Sequence, residues 1–291
     1  MHIPVLQKEV IQYLDPRSNE NFIDCTVGEG GHTAAILEKN IPEGKILGID
    51  QDPETIKNLE SRFRKRLVLV CDNFVNLKEI VKKEKFGQVS GILFDLGMSS
   101  RQLDESGRGF AFQKKEPLDM RYNPKIQNLT AEKIVNYYSF QEIEKILREY
   151  GEESFSERIA KEIVELRKIK PVENTTQLVE IIKRATPNWY QRRKIHSATK
   201  TFQALRVATN DELNNLKNAL PQALEILKSG GKLTVISFHS LEDRIVKNFY
   251  RQQFSASKLS ILTKKPITPT EEEIKTNPRS RSAKLRAAIK I

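Results

Sequence analysis

The chain holds 291 residues, with 2 cysteines and a formal net charge of +11. That length suffices for a full hydrophobic core in one large domain plus an insertion, and two cysteines without partners at ligand spacing exclude a disulfide scaffold and a structural zinc. No apolar run approaches membrane-spanning length and the first ten residues lack a secretion signal, so the expectation is a soluble, cytoplasmic protein with no membrane partner.

In chain order, apolar runs predict buried parallel strands at 22–27, 45–49, 67–71 and 91–95. Helices are predicted near 31–40, 53–64 and 77–83. Cys25 and Cys71 sit in the apolar strand contexts and are expected as reduced core residues. This alternation predicts an α/β doubly wound sheet, whose ligand crevice lies at the carboxyl ends of the strands. From about 104 to 206 the strand signals vanish. Thr130 is positioned to cap a helix at 131–138, and Thr176 one at 177–184. The pairs Ser139 with Glu142 and Ser154 with Glu157 have capping-box spacing. The expected division is therefore a discontinuous α/β domain, 1–103 with 207–291, carrying a helical insertion at 104–206. Beyond it come a helical region at 211–228, a strand at 231–238 and a helix at 241–254. A long loop is expected at 255–282, and the alternating end 283–291 is expected as an edge strand with one wet face.

The most informative stretch joins the first two strands. Gly28-Glu29-Gly30-Gly31-His32-Thr33 follows Asp24, and Asp50 closes the second strand. Glycines allow a tight bend close to a ligand, the helix start offers free N–H groups, and Asp50 can accept hydrogen bonds from both ribose hydroxyls. An adenosine cofactor is therefore expected. A dinucleotide fingerprint needs a third glycine where this chain has Thr33. An acidic Asp24 before the bend suits a cationic amino-acid tail better than a pyrophosphate. S-adenosylmethionine (SAM) fits both conditions, and a nicotinamide dinucleotide fits neither.

Three further stretches fall beside that crevice. Asp95-Leu96-Gly97-Met98-Ser99-Ser100-Arg101-Gln102 follows the fourth strand, where acceptor and methyl group meet in a SAM-dependent fold. It lacks the Pro-Pro loop common among enzymes that methylate base amines. His196 to Arg206 mixes polar groups into the return from the insertion. His239 follows the fifth strand, in a context that serves either a structural or a catalytic imidazole, and no G-x-S-x-G elbow accompanies it. From Arg244 to Ile291 there are 12 lysines and arginines against 3 glutamates, an expected footprint for phosphate backbones.

Taken together, these stretches resemble the RsmH (MraW) family of bacterial rRNA methyltransferases. The likeness is carried from end to end by the opening motif from His2 to Leu6, Asp24 to His32, Asp95 to Asp104, Arg108 to Phe112 and Pro117 to Arg121. It continues through Tyr150 to Glu153, Phe202 to Arg206, Phe238 to Lys247 and Asn277 to Arg286. Met98, Tyr122 and Lys200 depart mildly from the family pattern. The resemblance implies a Rossmann-like class I SAM-dependent methyltransferase fold with an inserted all-helical domain. It implies N4-methylation of one cytidine, cytidine 1402 in the usual rRNA numbering, at the decoding centre of 16S rRNA in the small ribosomal subunit. SAM contacts are implied for Gly30, Gly31, His32, Asp50, Phe74, Asp95 and Gln102, and no metal is expected in the catalytic site. Asp95, Ser99 and His239 are the candidates for taking the proton, with no choice among them. Arg279, Arg281, Lys284 and Arg286 are the candidate phosphate contacts, and the helical insertion is the expected RNA-recognition domain. A homodimer stays open. So do a SAM enzyme acting on DNA, tRNA or a small molecule, and a catalytically silent RNA-binding assembly protein.

Overall fold

The computed structural model describes residues 3–60 and 66–291. His2 of the opening motif, and the predicted helix of 53–64 beyond residue 60, lie outside the described residues. The chain divides into two compact units, one of Met1–Gly97 with Leu213–Ile291 and one of Met98–Glu212.

In the first unit, α1 (Gln7–Leu14), β1 (Asn21–Asp24), α2 (Gly31–Lys39), β2 (Ile46–Asp50), α3 (Pro53–Glu60), β3 (Leu67–Cys71), α4 (Leu77–Lys83) and β4 (Val89–Asp95) alternate. The chain then enters the second unit with α5 (Ser100–Asp104), α6 (Ala131–Tyr137), α7 (Phe140–Gly151), α8 (Ser156–Arg167), α9 (Thr175–Ala185), α10 (Asn188–Gln191) and α11 (Thr199–Asn210). It finishes with α12 (Glu212–Ile226), β5 (Leu227–Ser237), α13 (Ser240–Ser255), β6 (Leu259–Ile261), α14 (Glu271–Thr276) and β7 (Lys284–Lys290).

The strands of the first unit form one sheet in the order β3-β2-β1-β4-β5-β7-β6. β1 through β5 are parallel, with Ile23 level with Leu47 and Ile92, while β7 runs antiparallel between β5 and β6. The order reverses at β1, so the switch point that opens a ligand crevice lies between β1 and its neighbours. Successive strand residues point to opposite faces, and the burial follows that period of two. Ile23, Leu47, Ile92 and Val235 pack with Leu77 of α4, Leu220 of α12 and Phe249 of α13. Phe22, Ile46, Leu93 and Ile236 pack on the opposite face with Val10 of α1 and Ile36 of α2.

Four expectations need correction in this unit. β7 is an interior strand, because the stretch expected as loop supplies β6 to cover its edge. That stretch also holds α14. Cys71 ends an outer strand and is exposed, whereas Cys25 is buried. The last correction concerns Arg286, an expected phosphate contact. It is 7% exposed, and its guanidinium donates to both carboxylate oxygens of Asp243 at 2.6 and 3.1 Å. Its place opposite Val235 in the sheet turns the head inward, and Asp243 neutralises it there.

The second unit buries its own apolar cluster, with Ile134 of α6, Ile143 and Leu147 of α7, Ile159 and Ile163 of α8, Leu178 and Ile182 of α9, and Leu205 of α11. Its limits fall a few residues outside 104–206 for a visible reason. Met98 and Leu103 pack against that cluster, Asn210 donates to the Met120 carbonyl at 2.7 Å, and Arg206 pairs with Glu212 at 2.8 Å. The Ser139–Glu142 capping box opens α7 as its spacing predicts. Ser154 caps nothing, since α8 begins at Ser156 without a side-chain cap. Thr176 likewise yields to Asn174, whose side chain accepts from Gln177 N–H in a box of its own.

Candidate active site

The site is built at the carboxyl edge of the sheet in the first unit. β1 ends in Asp24, and the chain bends through Gly28 and Gly30 at φ +48° and +78° before α2 begins. Those left-handed values are cheap only for glycine. Gly31 is small for a different reason: a Cβ there would come within 2.3 Å of the Pro4 side chain. The N-terminal segment packs there, and Gln7 Nε2 donates to the Gly31 carbonyl at 3.2 Å.

Asp24 is 1% exposed. Its carboxylate accepts from the Thr33 hydroxyl at 2.8 Å and from Thr26 N–H at 3.2 Å. Burial pushes its carboxyl above the ordinary range, against the opposing pull of His32 and Thr33. Thr33, at the place of the third glycine, thus ties α2 to β1. Asp24 is a fastening of the bend rather than a group presented to a charged tail. Thr26 completes the frame, since its hydroxyl accepts from Asp95 N–H at 2.7 Å.

Asp50 closes β2. One carboxylate oxygen accepts from Gly28 N–H at 3.1 Å and the other from Asp52 N–H at 2.9 Å. Burial raises its pKa to about 6, although both N–H groups work against that rise. Each oxygen keeps a second lone pair, so the group is aimed by the bend and still able to accept from hydroxyls. Phe74 follows β3 but is 8% exposed, packed edge-on to Phe94 with ring centres 5.4 Å apart. Most of that ring belongs to the core, which leaves little of it for stacking.

At the end of β4, Asp95 stands 3.4 Å from Nε2 of His32. His32 is 6% exposed, and neither ring nitrogen has a hydrogen-bond partner. A buried imidazole with two unsatisfied nitrogens is costly unless a ligand completes it. His239, after β5, is half-buried with both ring nitrogens shielded from solvent, and its Nε2 lies 3.1 Å from Glu242 Oε1. The other Glu242 oxygen accepts from Phe238 N–H at 2.8 Å and His239 N–H at 3.2 Å, so Glu242 fixes the turn into α13.

Ser99 and Gln102 belong to the second unit, where they form the capping box of α5. The Ser99 side chain accepts from Gln102 N–H at 3.1 Å, and Gln102 Oε1 accepts from Ser99 N–H at 3.0 Å. Arg279 and Arg281 are exposed, and Lys284 is half-buried at the start of β7. A groove of 520 Å³ on the second unit is lined by Lys115, Lys170 and Arg184 but also by Glu173 and Glu180, so its charges offset one another. Sequence reasoning passed over Thr26 and the fastening role of Thr33. The threonine in place of a third glycine was the available signal.

The pattern of the MraW methylase family matches residues 1–291, the whole chain. Ribosomal RNA small subunit methyltransferase H of Heliobacterium mobile is 48% identical, covering 100% of this chain and 99% of its own length. The protein of that name from Persephonella marina is 47% identical, covering 100% and 99%. Among solved structures, an rRNA methylase from Streptococcus thermophilus is 10% identical with a TM-score of 0.45, covering 100% of this chain and 99% of that one.

Proposed function

Since the chain belongs to the MraW methylase family of SAM-dependent methyltransferases, we propose that it methylates N4 of one cytidine of 16S rRNA. That cytidine is 1402 in the usual numbering, at the decoding centre. The relatives' shared name, rRNA small subunit methyltransferase H, supports the choice of polymer. The observation that carries the chemistry is that Asp50 ends β2 at the same sheet edge where His32, with no hydrogen-bonded nitrogen, starts α2.

The residues fit the cofactor. Asp50 would hold the ribose hydroxyls, the bend at Gly28 and Gly30 would pass under the methionine part, and His32 would gain a partner for an orphaned nitrogen. Gln102 supports this reading only through the family resemblance, because its Oε1 is engaged in the α5 cap. Bound SAM supplies an electrophilic methyl group on a sulfonium sulfur. The chain's own task is to position a weak nucleophile, since the cytosine N4 lone pair is delocalised into the ring. Positioning alone contributes effective molarities of roughly 10⁵–10⁸ M. Asp95 is held by Thr26 and Gly97 with its carboxylate part-exposed, so it would accept an N–H of the amino group, orient it and receive its proton. His239, whose Nε2 stands 3.1 Å from Glu242, is the alternative acceptor. Extruding the base from a structured strand costs a few kcal/mol, which contacts to the flanking strand must offset.

The test is transfer of labelled methyl from SAM to small subunits, naked 16S rRNA, tRNA and DNA in parallel, with the product located by mass spectrometry. Label at N4 of a single 16S cytidine is expected. Label confined to tRNA or DNA would refute the proposed acceptor, and SAM binding with no transfer would leave an assembly protein.

A further inference from the structure

The second unit carries an exposed aromatic that the reaction chemistry does not use. Trp189, on α10, is 62% exposed. It rests against Tyr190 at 5.8 Å with planes at 90°, and against Phe155 at 5.9 Å. Phe155 and Tyr190 meet edge to face at 4.8 Å. Tyr190 is 4% exposed and its hydroxyl donates to the carboxylate of Glu153, itself 3% exposed, at 2.8 Å. Glu153 also accepts from Phe155 N–H at 3.0 Å. The support beneath the indole is therefore rigid and fully bonded.

Cations stand on the two rings that support it. The Arg158 guanidinium lies 5.8 Å from the centre of the Phe155 ring and that of Arg193 lies 5.3 Å from the Tyr190 ring. Arg158, Arg192, Arg193 and Lys194 are all exposed, and Glu152 and Glu157 are the exposed acids nearby in sequence. An indole held on a fixed base presents a flat, polarisable ring to solvent, a shape suited to stacking on a planar partner. An exposed indole with Arg158 and Arg193 on the two rings that support it, and with Arg192 and Lys194 close by in sequence, matches single-stranded nucleic acid, whose bases stack while its phosphates pair.

We propose that Trp189, with Arg192, Arg193 and Lys194, is a stacking platform for an unpaired base of the RNA substrate. This rests on the rRNA reading above and adds to it a specific contact on the helical unit.

Trp189 is the only tryptophan in the chain, so its emission reports the contact directly. Titration of the full-length protein with an unstructured oligocytidine RNA is expected to quench that emission. With end-labelled RNA followed by anisotropy, Trp189→Ala is expected to weaken binding by about 5- to 150-fold, the range for one stacked base. Trp189→Phe, which keeps a ring, is expected to stay near the wild type. Arg192→Gln with Lys194→Gln is expected to lower the log–log salt slope by up to about 1.4, at about 0.7 per phosphate. In methyl transfer, Trp189→Ala should raise KM for rRNA and leave kcat and SAM affinity unchanged. Unquenched emission, or unchanged RNA affinity in a folded Trp189→Ala protein, would overturn the platform. So would a concentration-dependent emission shift without RNA, which would place a second copy on this face. Quenching by RNA in a protein that transfers no methyl to rRNA supports the platform and removes the proposed reaction, so the two ideas fail separately.

Discussion

Asp50 shows how one carboxylate can be both buried and available. Its pKa is raised to about 6 by burial. A raised carboxyl contributes stability that is complete below the unfolded value near 4 and is lost as pH rises through about 6. At neutral pH the ionised group is therefore a standing cost in the ligand-free protein, and hydroxyl donors would relieve it. SAM affinity is expected to be flat above about pH 7 and to weaken as pH falls through 6, measured by calorimetry. Asp50→Ala should weaken binding by about 1–3 kcal/mol, and Asp50→Asn should lose the pH dependence. An equal pH slope in Asp50→Asn would assign it to another group. Thr33 has the complementary role. Thr33→Val removes the hydroxyl that satisfies buried Asp24, with an expected loss of about 1–3 kcal/mol in denaturant unfolding. The place of Asp50 was legible, because the second apolar run ends on it. The contact of Gly31 with Pro4 was not legible: a small residue in a glycine bend looks the same whatever fills the space beside it.

Among elements, the parallel strands were readable as apolar runs. β3 and α4 begin and end where the residue pattern places them. β6 was not readable: three residues in a polar stretch pair only because β7 offers an open edge. The same pairing makes β7 interior, so Arg286 is drawn in and matched by Asp243. Removing one member of a buried pair leaves an uncompensated charge, so Asp243→Ala is expected to destabilise by about 3–5 kcal/mol. Arg286→Met with Asp243→Leu should recover much of that loss in the same unfolding assay. Helix caps taught the opposite lesson. Ser99 and Gln102 have the spacing of a capping box and form one. Ser154 has the spacing and no cap, because Glu152 turns left-handed at φ +47° and α8 begins later.

For the whole molecule, the surplus of +11 is the relevant field, since phosphate binding responds to summed charge. With Arg286 internal, the basic tail offers Arg279 and Arg281 as its exposed candidates, with Lys284 half-buried beside them. Replacing Arg279 and Arg281 with alanine is expected to weaken rRNA binding and to lower its salt slope by up to about 1.4. An unchanged slope would take the tail out of the RNA-binding surface. The two-unit division was visible as a change of rhythm, while its limits were not, because Asn210 and Glu212 reach back to Met120 and Tyr122 through contacts that spacing does not announce.

The unequal fates of the two cysteines have a practical corollary. Cys25 is sealed in the core and burial pushes its thiol well up, which keeps it unreactive, while Cys71 lies open at the tip of β3. A maleimide should therefore attach to one sulfur alone in the native fold, one residue before Asp72 and level with Asp50 in the sheet. A dye placed there would sit within sight of the crevice mouth, and the rate of its attachment with and without SAM would time the arrival of the cofactor.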